Sequence, residues 1–207
     1  MDFAPDFAAC PLVAILRGVR PDEVEAIGDV LVEAGFTLIE VPLNSPDPFT
    51  SIAALAKRYG DHAMVGAGTV LTVEDVGRVQ DAGGRMIISP NTNPDVIRAT
   101  AAKGIASLPG YFTPSEGFAA LAAGATALKL FPAEAASPGV LKAQRAVLPK
   151  DVPMLVVGGV APDTMTPWLA AGANGFGLGS ALYKAGDDAG KVGAAAKAFV
   201  AAINAAR

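Results

Sequence analysis

The sequence is poor in the residues that most readily announce a function. It has one cysteine, Cys10, one histidine, His62, and one tryptophan, Trp168. A single cysteine excludes an intrachain disulfide and fits a reducing cytoplasm. A single histidine, in Tyr59-Gly60-Asp61-His62, argues against a His-rich metal site and against a Ser–His–Asp triad. His62 falls before a predicted strand, at the stability face, and reads as a bland loop residue. Basic residues give no stripe: 16 Lys and Arg stand against 20 Asp and Glu, with a formal net charge of −4. Nucleic acid is therefore not an expected partner. A small anionic substrate is not excluded, because local groups decide its binding. No apolar run approaches the roughly 20 residues that span a membrane. The first residues, MDFAPDFAACPLVAILRG, lack a positively charged leader and their apolar run stops at Arg17, so no signal peptide is expected.

What is present is a 207-residue chain that is 52% hydrophobic and only 17% charged. The mean hydropathy of +0.41 reflects alanine-rich helices and short buried strands. Eight short apolar runs alternate with amphipathic stretches: LVAIL (12–16), TLIEV (37–41), MVGAGTV (64–70), MIIS (86–89), IASLPG (105–110), ALKLF (127–131), MLVVGG (154–159) and GFGLG (175–179). Strands this apolar belong to a parallel sheet covered on both faces. Helix starts are marked at Pro21-Asp22-Glu23, Thr72-Val73-Glu74-Asp75, Thr113-Pro114-Ser115-Glu116 and Pro162-Asp163. Ala-Gly pairs end helices at Gly35, Gly83, Gly124 and Gly172. The pattern predicts a single (β/α)8 TIM barrel over residues 1–207, closed by a helix from about Asp188 to Arg207. The structural rival is a doubly wound open sheet. It is disfavoured because no GxGxxG follows the first strand.

Active sites of such barrels lie at the C-terminal strand ends. In Ala127-Leu128-Lys129-Leu130-Phe131 the alternation turns both leucines toward the helices and Lys129 inward. Burial lowers a lysine pKa, and a neutral amine attacks carbonyls. The same residue can also be read as a lysine snorkelling out or held in an ion pair. Glu40, between Ile39 and Val41, points inward by the same rule. It is either a general acid/base or half of a structural ion pair. Arg17 ends the first strand and suits a carboxylate or phosphate, or is a surface arginine. Thr69 ends the third strand among small neighbours. Val157-Gly158-Gly159-Val160 and Gly177-Leu178-Gly179-Ser180 end the last two strands, where many barrels bind phosphate through backbone N–H groups. Two tight turns would leave the same trace. Cys10 reads as a small core or surface residue, and Trp168 and Tyr183 read as packing residues.

Taken in order, ILRG, EVPLNSP, GAGTV, Ser89-Pro90-Asn91, Pro109-Gly110, LKLFPAE, Gly158-Gly159 and Gly179-Ser180 resemble the KDPG/KDPGal aldolase family from about residue 11 to about 185. The resemblance implies a Schiff base on Lys129, general acid/base work by Glu40 and a pyruvyl contact from Thr69. It also implies substrate contacts at Pro90 and Val157, and a phosphate seat at Gly158, Gly159, Gly179 and Ser180. It implies a homotrimer acting on a phosphorylated keto sugar acid. No metal and no cofactor are expected, because the iminium does the work of a Lewis acid, and the expected location is the cytoplasm.

Within the family, gluconate-type enzymes carry an arginine at the position of Asn44, for the substrate carboxylate. Here Arg17 can supply that charge from the first strand, and Val157 stands where the gluconate type tends to have threonine. Both departures resemble the galactonate branch, so cleavage of 2-dehydro-3-deoxy-6-phosphogalactonate is expected. Cleavage of the gluconate epimer, an isomerase or epimerase barrel without a Schiff base, and a non-catalytic phosphosugar-binding barrel are the alternatives.

Overall fold

The computed structural model describes residues 3–206. The chain runs α1 (Phe3–Ala9), β1 (Leu12–Ile15), α2 (Val24–Ala34), β2 (Leu38–Pro42), α3 (Pro48–Tyr59), β3 (Met64–Gly68), α4 (Val73–Asp81), β4 (Met86–Ile88), α5 (Pro94–Ala102), β5 (Ala106–Leu108), β6 (Gly110–Tyr111), α6 (Pro114–Ala122), β7 (Leu128–Leu130), α7 (Pro138–Arg145), β8 (Met154–Val157), α8 (Met165–Ala170), β9 (Gly175–Leu178) and α9 (Ala189–Ala205). All strand pairs are parallel, in the order β5-β4-β3-β2-β1-β9-β8-β7-β6.

The expected run 105–110 is two strands rather than one. β5 and β6 flank Pro109, which has no N–H to give the ladder. The Pro109 carbonyl still accepts from the Lys129 N–H at 3.0 Å. Because β5 and β6 are halves of one strand, the two ends of the strand order coincide and the sheet closes. The fold is the expected (β/α)8 barrel.

Period-two alternation divides the apolar residues into two layers. Ile39, Val41, Leu128, Leu130, Val156 and Leu178 belong to the layer between strands and helices. Val13, Ile15, Leu38, Met64, Met86, Ile88, Leu108, Leu155 and Val157 fill the barrel interior. The N-terminal end is plugged by α1, which the sequence pattern does not foretell. Phe3 and Phe7 lie one helical turn apart, stack with ring centroids 5.2 Å apart and join the interior layer. Gly175 makes room for this plug, since a Cβ there would lie 2.8 Å from the Phe7 ring.

The helix signals hold at Thr72, which accepts from the Asp75 N–H, and at the reciprocal Thr113–Glu116 capping box. Glu23 precedes α2 without a side-chain cap, and Pro162–Thr164 forms a 3-10 turn before α8. Gly35 and Gly172, both with φ 102°, end their helices left-handed as expected. The closing helix begins at Ala189, with Asp188 accepting from the Lys191 N–H; Arg207 lies outside the described residues. No helix among the described residues is long and apolar enough to cross a membrane. Cys10 is buried in the core, while His62 is exposed in the turn before β3.

Candidate active site

Glu40 and Lys129 lie inside the barrel on β2 and β7. Apart from Asp6 on α1, they are the only charged side chains buried among the described residues, 3% and 8% exposed. Charged groups are rarely buried without a function or a partner. No ion pair joins the two among the described residues. Glu40 Oε2 has no hydrogen-bond partner among them either.

Burial dominates both titrations. It pushes the Glu40 carboxyl from 4.5 up to about 7, against the opposing pull of Lys129 and Arg17. It brings the Lys129 ammonium from 10.5 down to about 8; Glu40 works against that shift and Arg17 with it. Near neutral pH the lysine is thus easily made neutral and the carboxyl can hold or release a proton.

Glycines make room for these groups. A Cβ at Gly68 would lie 2.7 Å from the Glu40 carboxyl. Gly110 faces Lys129 in register, and a Cβ there would lie 2.3 Å from the Pro90 carbonyl oxygen. That close approach accounts for the Ser89-Pro90-Asn91 and Pro109-Gly110 motifs. The Gly110 N–H donates to the Ser89 carbonyl at 2.9 Å, and the Thr92 hydroxyl donates to the Gly110 carbonyl at 2.7 Å.

Above the pair, at the C-terminal strand ends, opens a cavity of about 700 Å³. Arg17, Val157, Gly158, Gly159, Gly179 and Ser180 line it together, as the sequence pattern requires. Gly158 and Gly159 adopt φ values of 116° and 64°, turning the backbone after β8. The chain after Gly179 makes a helical turn, with the Leu182 and Tyr183 N–H groups donating to the Gly179 carbonyl at 2.8 and 3.0 Å. Backbone N–H groups on two such turns suit a phosphate.

Lys129 and Glu40 do not themselves line the cavity, but they adjoin its wall. The Lys129 ammonium stands 4.8 Å from the centre of the Phe131 ring, and Glu40 is in register with Ile15. Phe131 and Ile15 both line the cavity. Thr69 and Pro90 are half-buried at the ends of β3 and β4 and stay outside the lining. Thr69 has a φ of 57°, which is a rare conformation for a β-branched residue and marks a strained site.

Glu134, the last residue of the LKLFPAE motif, and Lys184 also line the cavity, and neither was singled out from the sequence. Tyr183, expected only to pack, lines it too. Tyr183 is buried, and its hydroxyl donates to Glu23 Oε1 at 3.0 Å, fastening the turn after β9 to the start of α2. Lone residues on loops carry no periodic signal that could have found them. Among the described residues no group of three or more His, Cys, Asp or Glu is disposed to hold a metal ion.

Residues 6–195 match the family described as "Aldolase: KDPG and KHG aldolase". The chain belongs to this family. It is 51% identical over 195 residues to the probable 2-dehydro-3-deoxy-6-phosphogalactonate aldolase of Rhizobium meliloti (strain 1021), covering 94% of this chain and 92% of that protein. It is 46% identical over 192 residues to the 2-dehydro-3-deoxy-6-phosphogalactonate aldolase of Escherichia coli (strain K12), covering 93% and 94%. A solved structure described as native KDPGal superimposes with a TM-score of 0.94 at 46% identity, over 95% of both chains.

Proposed function

We propose that this chain is a class I aldolase. It cleaves 2-dehydro-3-deoxy-6-phosphogalactonate to pyruvate and D-glyceraldehyde 3-phosphate. The observation that carries the reading is the buried pair Lys129 and Glu40, whose pKa values are drawn to about 8 and about 7 beneath a cavity lined by Arg17 and the glycine turns. Membership in the aldolase family and the names of its relatives supply the substrate class.

The chemistry follows from these groups. Neutral Lys129 Nζ attacks the C2 ketone and gives a carbinolamine. Loss of the C2 hydroxyl as water, with Glu40 as proton donor, leaves an iminium. Glu40, now a carboxylate, takes the C4 hydroxyl proton directly or through a water. The C3–C4 bond breaks, its electrons pass into the iminium, and the aldehyde departs. The enamine takes a proton back at C3, and hydrolysis of the resulting iminium frees pyruvate and regenerates the lysine. Arg17 holds the substrate carboxylate and Thr69 the pyruvyl end. Val157 forms the wall, Pro90 flanks the site from the end of β4, and Gly158, Gly159, Gly179 and Ser180 seat the phosphate. No metal or cofactor takes part in these steps.

Pyruvate release from the galacto substrate, followed by a coupled reduction to lactate, tests the activity. Lys129→Met should reduce it to background. An enzyme that interconverts phosphosugars without releasing pyruvate would replace the aldolase reading.

The exposed apolar residues Leu71, Val73, Phe112 and Phe118, on the segments after β3 and β6, suit contact between copies. With the family resemblance, they support a homotrimer, which light scattering of the purified protein tests; a cytoplasmic location fits the single cysteine.

A further inference from the structure

Arg17 is exposed and long, so by itself it has many rotamers to sample. It is nonetheless held at one point: its Nη1 donates to Asn44 Oδ1 at 2.8 Å. No ion pair engages Arg17 among the described residues. The turn that carries Asn44 is itself fixed. The Leu43 N–H donates to the Gly68 carbonyl at 2.8 Å, and the Ser45 N–H donates to the Pro42 carbonyl at 2.9 Å. The buried Ser45 hydroxyl accepts from the Gly18 N–H at 2.9 Å. The turns after β1 and β2 are therefore stitched together twice, once at the backbone beside Arg17 and once at its tip.

A guanidinium only donates, so the amide at position 44 must turn its oxygen toward Arg17. One accepted hydrogen bond leaves the remaining donors and the full positive charge for a ligand. A carboxylate at position 44 would act differently. It could take the guanidinium fork through both oxygens and cancel its charge.

We infer that Asn44 is a positioning residue: a neutral tether that holds the Arg17 cation at the cavity mouth and leaves its charge to the carboxylate of the keto acid. This rests on the assignment of Arg17 to that carboxylate. Asn44 is exposed, so its replacement leaves the core untouched.

The test is the reverse reaction, with pyruvate varied at fixed glyceraldehyde 3-phosphate and inorganic phosphate as a competitive probe of the other end. Asn44→Ala should raise KM for pyruvate roughly 3- to 10-fold, the range for loss of one exposed hydrogen bond. It should leave kcat and the phosphate inhibition constant near wild type. Asn44→Asp should raise KM further, to about 100-fold, because it supplies a competing carboxylate and cancels the charge. A purely structural role would make the two variants alike. If both bind pyruvate like wild type, or Asp is no worse than Ala, the tether is refuted while Arg17→Ala still raises KM. If Arg17→Ala binds pyruvate normally and loses phosphate inhibition instead, the underlying assignment fails and the tether with it.

Discussion

Gly68 stands where any side chain would strike Glu40: a Cβ there would lie 2.7 Å from the carboxyl carbon and both oxygens. The Gly68 backbone is ordinary strand without a positive φ, and the three atoms nearest to such a Cβ all belong to the Glu40 carboxyl. The glycine is thus required by the carboxylate rather than by the fold. Gly68→Ala should fold, displace the Glu40 carboxyl and lower kcat by roughly 100-fold, as expected for a misplacement of about 1 Å in a catalytic group. Steady-state kinetics with a thermal melt check this. A folded variant with wild-type kcat would remove Glu40 from the chemistry.

Burial of Glu40 has a stability consequence with a definite sign. Its folded pKa of about 7 lies above the ordinary 4.5, so the native state binds this proton more tightly than the unfolded chain. That contribution is complete below about pH 4.5 and is lost as pH rises through about 7. Lys129, lowered from 10.5 to about 8, costs stability in the native state wherever it is charged, fully below about pH 8 and not above 10.5. Glu40→Gln removes the cost of a buried carboxylate. It should be more stable than wild type at pH 8, by on the order of 1–3 kcal/mol, with a smaller gain at pH 5. Calorimetry at the two values reads it. A gain independent of pH would contradict the titration of Glu40 as its cause.

Thr69 offers a second conflict between stability and function. Its φ of 57° is uncomfortable for a β-branched residue, at a cost of about 1–3 kcal/mol. Glycine accepts that conformation but lacks the hydroxyl. Thr69→Gly should match or exceed wild type in Tm while kcat/KM falls at least about tenfold, the loss of one hydrogen bond in the transition state. A parallel loss of Tm and activity would mean that Thr69 is structural.

Much of this was legible in the sequence, for reasons of periodicity. A lone charge between apolar neighbours in a strand must face the barrel interior, and Lys129 and Glu40 do. Glycine pairs at the ends of the last two strands could be assigned to one rim because the fold dictates where strand ends meet. The plug helix was not legible: Phe3 and Phe7 form a single turn-spaced pair in a seven-residue helix, too short for a pattern. Nor was the break at Pro109, because both halves keep the same apolar character. The contact between Arg17 and Asn44 joins two loops 27 residues apart, and Glu134 and Lys184 are isolated charges on turns. Such contacts depend on three-dimensional closure and leave no local trace.

Val157 bears on the choice of substrate. It lines the cavity and packs closely across from Gly177, where a Cβ would lie 2.7 Å from its Cγ2. The galacto and gluco substrates differ only at C4. An apolar wall discriminates between such epimers by about 10–200-fold, whereas a placed hydroxyl can do better. The wild type should cleave the galacto substrate readily and the gluco epimer less efficiently. Val157→Thr should shift the kcat/KM ratio toward the gluco epimer. A wild type that prefers the gluco epimer would overturn the galactonate assignment and leave the aldolase intact.

The central claim is a covalent bond between Lys129 and the keto acid. Mass spectrometry of the intact protein after incubation with pyruvate and borohydride tests it most directly. One reduced pyruvyl group per chain should form, peptide mapping should locate it at Lys129, and Lys129→Met should neither label nor cleave. Cleavage with full activity in Lys129→Met, or labelling at another lysine, would contradict the account.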